Sequence, residues 1–372
     1  QNNILLFACV LFFCFAFSVG IRFQQFETWK KTPAAYFVGE RPLMTTLDAP
    51  YWLSLAREYN GVAFGGDAIQ RKNTNIAENS KKRTSIPAEF QDHSPSLSGA
   101  SEINGYCHRL CDGNVPLISF LIAKLTPFFN HNYYLTGTLL VPVLASLFII
   151  PLGIYFFQIG VPVSGLLGGL IGTFAAGYYM RSSIGRIDTD MLNLFFPMLA
   201  GLLILLAGKA KTVRKVLLYS LAAGLSLFLF QWWYSKPAFT LAYFAVLVFH
   251  LFGQKVRFQT ILLSAFLFVL CAQPVTIMGG AGSVYGQLSR YFVIEDLASS
   301  IIIDNGITPA TFPNTMTTIS EADHVPMREV LRRVLSNTTL DWIGFVGFFG
   351  LAVFKWRVLL PLLPMLALGL LS

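Results

Sequence analysis

The chain has 372 residues, of which 54% are hydrophobic and only 12% are charged. A soluble protein of this size would need a far more charged surface, so the composition excludes that class. Apolar runs of about 20 residues are long enough to cross a bilayer as helices, whereas the strands of an outer-membrane barrel would alternate apolar and polar residues. The sequence therefore predicts an all-α polytopic membrane protein.

The formal net charge of +8 does not indicate a nucleic-acid partner. Lys and Arg lie mainly in short segments between the apolar runs, as membrane topology requires. The expected partner is the lipid bilayer, and no nucleic acid is expected. Among the five cysteines, Cys107 and Cys111 could form a disulfide if their loop lies in an oxidising compartment.

The apolar runs define the predicted elements in chain order. Ile4 to Ile21 is predicted to be a retained transmembrane helix rather than a cleaved signal. An aromatic and basic patch around Phe26 and Trp29 then predicts a membrane interface. Val115 to Phe129 is short for a span and is predicted to be a re-entrant or interfacial helix. Further spans are predicted at Leu135–Gly160, Val161–Tyr179, Met191–Ala207, Val216–Phe230, Ala238–Phe252, Thr260–Gln273, Ile343–Phe354 and Val358–Leu371.

These elements predict five regions. They are a first transmembrane helix (1–21), a first external loop (22–134), transmembrane helices with a short loop at 181–190 (135–274), a long external loop (275–340) and further transmembrane helices (341–372). Basic clusters at 209–215, 255–257 and 355–357 then fall on one side, which the positive-inside rule makes cytoplasmic. The three loops share the opposite, external face.

The short loop reads R-S-S-I-G-R-I-D-T-D-M-L from Arg181 to Leu192 and holds Asp188 and Asp190. Charges at the end of a membrane span are costly and indicate a functional site. Asp48 begins an amphipathic helix as its predicted N-cap, on the same external face. Clusters of carboxylates with no His or Cys suit hard cations such as Mg²⁺ or Mn²⁺. The alternative is that Asp188 and Asp190 only cap the following helix and that the loop arginines bind lipid headgroups.

Three motifs resemble those of the catalytic subunit of oligosaccharyltransferase, especially its single-subunit bacterial and archaeal forms. Arg181 followed after six residues by D-T-D-M-L is similar to the motif of the second external loop. T-T-L-D-A-P-Y-W around Asp48 resembles the first-loop motif, and Thr318-Ile319-Ser320-Glu321 resembles the T-I-x-E motif of the long loop. The motifs occur in the family's order, each on the expected loop.

The resemblance implies a GT-C-type transmembrane helix bundle and a metal-dependent glycosyltransferase. It would move an oligosaccharide en bloc from a lipid-linked, polyprenyl-pyrophosphate donor to Asn in the Asn-x-Ser/Thr sequons of an acceptor polypeptide. The site would lie on the periplasmic face of a bacterial inner membrane. The implied roles are catalytic for Asp48, Glu321 and Arg181, metal-binding (Mg²⁺ or Mn²⁺) for Asp48, Asp188, Asp190 and Glu321, and substrate-binding for Arg181, Arg186, Thr318 and Ile319.

Two features depart from the family pattern. The Trp-Trp-Asp motif that reads the sequon belongs to a soluble C-terminal domain, so the chain is expected to be truncated before that domain. Four spans between Asp190 and Glu321 are fewer than the family has, although the even number preserves the assignment of faces. The alternatives are another GT-C transferase with a polyprenyl-monophosphate sugar donor, and a transporter or flippase, whose acids would lie near the midplane of the membrane.

Overall fold

The computed structural model describes residues 2–61, 115–282 and 337–366. Their regular structure is helical apart from one antiparallel hairpin, in which Phe37 pairs with Pro42 and Val38 with Arg41. The elements are α1 (Asn2–Lys31), α2 (Pro33–Tyr36), β1 (Phe37–Val38), β2 (Arg41–Pro42), α3 (Ala49–Tyr59), α4 (Leu117–Leu125), α5 (Tyr133–Ser146), α6 (Ile149–Gln158), α7 (Pro162–Phe174), α8 (Ala176–Arg181), α9 (Phe195–Lys209), α10 (Val213–Trp233), α11 (Pro237–Gly253), α12 (Phe258–Ala272), α13 (Pro274–Gly282), α14 (Thr338–Phe354) and α15 (Trp356–Leu359), with 3-10 turns at Thr126–Phe129, Thr189–Met191 and Leu360–Leu362.

Several helices are long and apolar enough to cross a membrane. Within the described ranges, four continuous helical segments qualify, and two bent pairs raise the number to six if each pair counts as one span. The bends are 88° between α12 and α13, and 110° between the helices before and after Lys355. The prediction of an all-α polytopic membrane protein is confirmed. The qualifying continuous segments are Asn3–Lys31, Tyr133–Gln158, Thr189–Lys209 and Val213–Trp233.

Two predicted element boundaries are wrong. The first helix does not end at Ile21 but continues to Lys31, and Phe26 and Trp29 are buried. Their place at a membrane interface stays a prediction. The predicted span Val161–Tyr179 is broken at Ala175, whose ψ of 128° ends α7 after 13 residues. At 1.5 Å per residue such a helix is about 20 Å long, shorter than the hydrocarbon core of about 30 Å.

The chain forms two compact units. The first consists of residues 1–21, 144–182 and 190–372, and the second of residues 22–143 and 183–189. The short segment 183–189 therefore belongs to the second unit, although it lies in sequence between helices of the first.

The first unit is a bundle held by close helix contacts. A Cβ placed on Gly165 would lie 2.6 Å from the Cβ of Phe156, and one on Gly224 would lie 2.6 Å from the carbonyl oxygen of Phe268. These two glycines thus allow the close helix packing that small residues give in membranes. A buried hydroxyl cluster adds polar contacts between α1, α5 and α7: the Oγ of Ser18 lies 2.7 Å from that of Ser146 and 2.8 Å from the Oγ1 of Thr173.

The basic segments of the first unit meet at one end of the bundle. A Cβ on Gly208 would lie 3.1 Å from the Cγ of Gln254, and one on Gly253 would lie 3.8 Å from the Cη2 of Trp356. Lys209 donates a hydrogen bond to the carbonyl of Gln158 at the end of α6. The clusters at 209–215, 255–257 and 355–357 therefore lie at the same end, as the sequence predicts. Which side of the membrane this end faces stays a prediction.

The second unit packs α3 against α4. Ser119 of α4 donates a hydrogen bond to the carbonyl of Trp52 (2.8 Å), and Asn60 donates to the carbonyl of Ala123 (3.0 Å). Ile118 and Ile122 of α4 are both 1% exposed. The predicted helix at 115–129 is thus a nine-residue α-helix with a 3-10 turn, and one of its faces is buried in this unit.

Candidate functional site

Asp48 lies immediately before α3, at the N-cap position that the sequence predicts. Its carbonyl accepts the hydrogen bond of the Trp52 amide (3.1 Å), which is the first bond of the helix. The carboxylate, however, makes no capping hydrogen bond, and the residue is exposed. Pro50 in the first turn has no amide hydrogen, so the helix needs one hydrogen-bond acceptor fewer at this end. The carboxylate of Asp48 is therefore not committed to the helix it precedes.

The segment before Asp188 is anchored by two buried isoleucines. Ile184 and Ile187 are both 0% exposed, and Ile184 packs with Phe26 and Trp29 of α1. The amide of Ile184 also donates a hydrogen bond to the Oε1 of Gln25 (3.2 Å). The ten residues of α1 beyond the predicted span thus include the residues that hold the segment 183–189, which contains Asp188.

Gly185 is the tightest point of this segment. Its φ is +79°, a conformation that residues with a Cβ rarely adopt, and a Cβ here would lie 2.6 Å from the Cη2 of Trp29 and 2.9 Å from the carbonyl oxygen of Leu43. The carbonyl of Gly185 accepts a hydrogen bond from the amide of Thr45 (3.0 Å). Asp48 follows Thr45 by three residues, and Asp188 follows Gly185 by three residues. One backbone hydrogen bond thus joins the two aspartate-bearing loops within the second unit.

The Asp188 carboxylate is oriented by the residue that follows it. Its Oδ1 accepts hydrogen bonds from the amide of Thr189 (2.6 Å) and from the Oγ1 of Thr189 (3.4 Å). The next α-helix, α9, begins only at Phe195, and its N-cap position is occupied by Leu194. Neither aspartate is the N-cap of α9 itself, but Asp188 directly precedes the 3-10 turn with which the continuous segment Thr189–Lys209 begins, so the capping alternative stays a prediction.

Asp190 lies in the first unit together with Arg181. The Nη1 of Arg181 lies 3.4 Å from the Oδ2 of Asp190, and the side chains are 46% and 21% exposed. The Oδ1 of Asp190 accepts a hydrogen bond from the Nδ2 of Asn193 (3.3 Å). Both oxygens of this carboxylate are thus engaged. The structure brings Arg181 and Asp190 together, as expected for the loop motif.

Arg186 belongs to the second unit and is half-buried. Its Nε is buried and finds no hydrogen-bond partner among the described residues. A buried guanidinium N–H without a partner is unfavourable, so an acceptor is expected there. A phosphate oxygen would satisfy it, which is compatible with the substrate-binding role predicted for Arg186.

The predicted metal set is only partly described. Thr318, Ile319 and Glu321 lie outside the described residues, as do Cys107 and Cys111. Within residues 2–61, 115–282 and 337–366, no group of three or more His, Cys, Asp or Glu side chains converges. The carboxylate oxygens of Asp48, Asp188 and Asp190 are the donors that Mg²⁺ and Mn²⁺ prefer, so their chemistry fits the predicted ion.

Two residues that the sequence did not predict bind the segment around the aspartates, and a third lies buried in α1. Gln25 binds the amide of Ile184, Asn193 binds Asp190, and Arg22 of α1 is fully buried. A buried guanidinium must be hydrogen-bonded, so Arg22 is a structural element of the second unit. The burial of Arg22 could have been predicted from the sequence, because Arg22, Phe26 and Trp29 have the spacing of one helix face.

Comparisons with known proteins identify the family. The family model "Oligosaccharyl transferase STT3, N-terminal" matches residues 112–356, about two thirds of the chain. Two Campylobacter jejuni proteins, from strain RM1221 and from subspecies jejuni serotype O:2, are named undecaprenyl-diphosphooligosaccharide--protein glycotransferase. Each is 23% identical over 357 residues, which cover 87% of this chain and 47% of the relative. The chain thus spans about half the length of the curated relatives it matches. Since the family model covers more than half of the chain, the protein belongs to the oligosaccharyl transferase STT3 family.

Proposed function

We propose that the protein is the catalytic chain of an oligosaccharyltransferase. It transfers an oligosaccharide en bloc from a polyprenyl pyrophosphate to the side-chain nitrogen of Asn in Asn-x-Ser/Thr. The names of the relatives specify an undecaprenyl-diphosphooligosaccharide donor and a protein acceptor. The observation that carries the proposal is the hydrogen bond from Thr45 to Gly185, because it joins the loops of Asp48 and Asp188 in a member of this family.

The proposed transfer needs carboxylates that bind the side-chain amide of the acceptor Asn. The lone pair of an amide nitrogen is delocalised, and rotation out of the planar form costs roughly 18–20 kcal/mol. Two carboxylates that accept both N–H bonds favour a twisted amide and restore its nucleophilicity. Asp48 fits this role because its carboxylate is exposed and not used as a helix cap. Glu321 is the second candidate.

The pyrophosphate leaving group of the donor gains negative charge in the transfer, so positively charged groups are needed near it. Arg181 and Arg186 supply guanidinium groups for the pyrophosphate oxygens, with Thr318 and Ile319 in the predicted substrate-binding motif. Asp48, Asp188 and Glu321 would hold Mg²⁺ or Mn²⁺, and Asp190 would be a direct ligand or a neighbour of the ligands. When bound, the ion neutralises charge that develops on the leaving group.

We place the protein in a bacterial inner membrane with its site on the periplasmic face. The support is the group of basic segments at one end of the first unit, formed by the turns after α9 and α11 and the start of α15. The positive-inside rule assigns that end to the cytoplasm. In the variants Lys211→Cys and Thr46→Cys, an impermeant thiol reagent should then label the new cysteines from opposite sides of the membrane. Labelling of both from the same side would contradict the orientation.

The test is transfer to a fluorescent peptide containing Asn-x-Thr, from an undecaprenyl-pyrophosphate-linked oligosaccharide, with and without Mn²⁺. The longest natural form of the protein is used. Asp48→Asn should lower turnover by at least about a hundredfold, as loss of a group acting at the reacting centre does. The matched control is Glu58→Gln, because Glu58 is an exposed acid at the other end of α3.

Metal-dependent product that disappears in Asp48→Asn and persists in Glu58→Gln supports the reaction and the residue together. No product from the intact protein with a competent donor contradicts the peptide acceptor. Transfer from a polyprenyl-monophosphate sugar instead would favour the other GT-C transferases. Equal activity of the two variants contradicts the role of Asp48.

A further inference from the structure

Two helix connections lie side by side at the basic end of the first unit. One joins α11 to α12 through residues 254–257, and the other joins α14 to α15 at Lys355. A Cβ placed on Gly253, the last residue of α11, would lie 3.8 Å from the Cη2 of Trp356. Four cations and one tryptophan form this surface, which we call the basic turn patch: Lys255, Arg257, Lys355, Arg357 and Trp356.

The backbone of the first connection is fixed by a Schellman cap at the end of α11. The amide of Lys255 donates a hydrogen bond to the carbonyl of Phe252 (2.9 Å), and the amide of Val256 donates to the carbonyl of Leu251 (3.1 Å). The cap gives Lys255 a φ of +57°, a left-handed conformation that glycine adopts far more readily. A lysine thus occupies a position where a glycine would be less strained, which points to a use of its side chain.

The described acids of the first unit lie at the other ends of its helices. Asp190 precedes α9, whose last residue is Lys209, and Asp341 lies in the first turn of α14, which ends next to Lys355. The sequence contains no Asp or Glu in residues 191–294 or 342–372. The four cations of the patch are exposed. Among the described residues, no acid of this unit therefore offsets their charge, and the patch should attract an anion.

Aromatic side chains border the cations. Phe252 is 73% exposed and Phe258 is 68% exposed, one on each side of the connection between α11 and α12. Trp356 is 49% exposed, and the Cζ of Arg357 lies 5.5 Å from its ring centroid. Exposed aromatic rings beside cations are typical of the boundary between lipid headgroups and acyl chains. A soluble anion would leave these rings in water, whereas a phospholipid covers them.

An apolar row on α12 continues from this border. Its members are exposed side chains at a spacing of four residues, which places them along one side of the helix: Phe258, Leu262, Phe266 and Leu270. At 1.5 Å per residue the row is about 18 Å long. It begins directly after Arg257, so an acyl chain can lie along it while the headgroup contacts the cations.

We propose that the basic turn patch binds the phosphate of an anionic phospholipid headgroup, with the acyl chains along the apolar row of α12. One bound lipid would then hold the two helix connections together at the membrane surface. The patch lies at the end of the first unit away from Asp190, because α9 separates Asp190 from the basic end. The proposal therefore does not depend on the proposed transferase activity.

The assay uses Trp356, because this ring belongs to the patch. The full chain is reconstituted in phosphatidylcholine vesicles, in which part of the lipid is replaced by phosphatidylglycerol or phosphatidylcholine with brominated acyl chains. Bromine quenches the fluorescence of a tryptophan that the lipid contacts. The difference in quenching between the protein and its Trp356→Phe variant isolates this ring from the rest of the six tryptophans. The measured quantity is the preference of the patch for phosphatidylglycerol over phosphatidylcholine.

Three variants test the patch. Lys255→Gln should lower the preference about fivefold, the factor that corresponds to about 1 kcal/mol per basic residue at an anionic surface. Lys255→Gly should lower it equally while leaving the thermal unfolding temperature unchanged or raised, because glycine suits the left-handed conformation. The matched control is Lys236→Gln. Lys236 also lies near an aromatic ring (5.1 Å from the centroid of Tyr234), but it precedes α11 and lies at the other end of that helix.

Stronger quenching of Trp356 by brominated phosphatidylglycerol, weakened in both Lys255 variants and unchanged in Lys236→Gln, supports the proposal. Equal quenching by the two brominated lipids would overturn the preference for an anionic headgroup. Equal losses in Lys255→Gln and Lys236→Gln would overturn the patch, because they would show attraction by overall charge alone. Loss of the preference in the presence of free glycerol 3-phosphate would overturn the lipid as the occupant.

Discussion

Replacing Gly185 by alanine should separate the two aspartate loops. Two costs add at this position. A residue with a Cβ in the left-handed conformation (φ is +79°) loses about 1–2 kcal/mol. The new Cβ would lie 2.6 Å from the Trp29 ring and 2.9 Å from the carbonyl oxygen of Leu43, and such crowding costs about 1–3 kcal/mol. Together they amount to roughly 2–5 kcal/mol.

The matched control is Gly61→Ala. Gly61 belongs to the same unit and has φ of +69°, but no atom of the described residues lies within 4 Å of the position that a Cβ would take there. This variant bears the conformational cost alone, so we expect it to lose only about 1–2 kcal/mol. The difference between the two variants measures the crowding at Gly185, and therefore the strength with which the loop is held.

Two assays follow the change. Unfolding in a denaturant titration gives the stability difference, and peptide glycosylation gives the turnover. The loop must shift to accommodate the Cβ, so the Asp188 carboxylate moves relative to Asp48. A displacement near 1 Å at a reacting centre can cost about a hundredfold in rate. If Gly185→Ala loses no more stability and no more turnover than Gly61→Ala, the two loops are not held together by this contact.

Three further predictions concern other contacts. Asn193→Ala removes one hydrogen bond from Asp190 and should lower turnover several-fold at unchanged thermal stability, measured in the peptide assay. Ser18→Ala breaks the buried hydroxyl cluster of the first unit and should cost about 0.5–2 kcal/mol in a denaturant titration, within the range of such bonds in membranes. Gly224→Ala places a Cβ 2.6 Å from the carbonyl of Phe268 and should destabilise the α10–α12 contact by about 1–3 kcal/mol, whereas no loss would show that the helices separate freely.

Much of the fold was predictable because membrane helices have strong local signals. Length and hydrophobicity alone predict the segments at Met191–Ala207 and Val216–Phe230, which the structure confirms within a few residues. The end of α1 was not predictable from hydropathy, since the apolar run stops at Ile21. Its continuation rests on Phe26 and Trp29, whose burial depends on contacts with a segment that is distant in sequence.

The candidate site was predictable in its residues but not in its connections. The type and spacing of the acids identify Asp48 and Asp188, and the start of a helix next to Asp48 follows from Pro50. The hydrogen bond between Thr45 and Gly185 joins positions 140 residues apart. No periodicity records such a pairing, because it depends on a glycine conformation that becomes evident only in the folded chain.

The two acids of the D-T-D motif should have different roles. Both oxygens of Asp190 are engaged, by Arg181 at 3.4 Å and by Asn193 at 3.3 Å. A guanidinium beside a carboxylate offsets the negative charge that would attract a metal ion. Asp188 instead has its Oδ1 on the neutral amide and hydroxyl of Thr189, and it belongs to the same unit as Asp48. We therefore expect Asp188 to bind the metal and Asp190 to hold Arg181 in position.

Kinetics in the peptide assay separate these roles. Asp188→Asn should raise the Mn²⁺ concentration needed for half-maximal turnover by at least about tenfold, because it removes a charged ligand. Asp190→Asn should leave that concentration nearly unchanged and raise the KM for the lipid-linked donor, because Arg181 then loses its partner while the metal keeps its ligands. Asp48→Glu, which keeps the charge of the first-loop acid, reports whether the metal response depends on that side chain. If Asp190→Asn changes the Mn²⁺ requirement as much as Asp188→Asn does, both carboxylates are ligands and the ion pair with Arg181 does not survive metal binding.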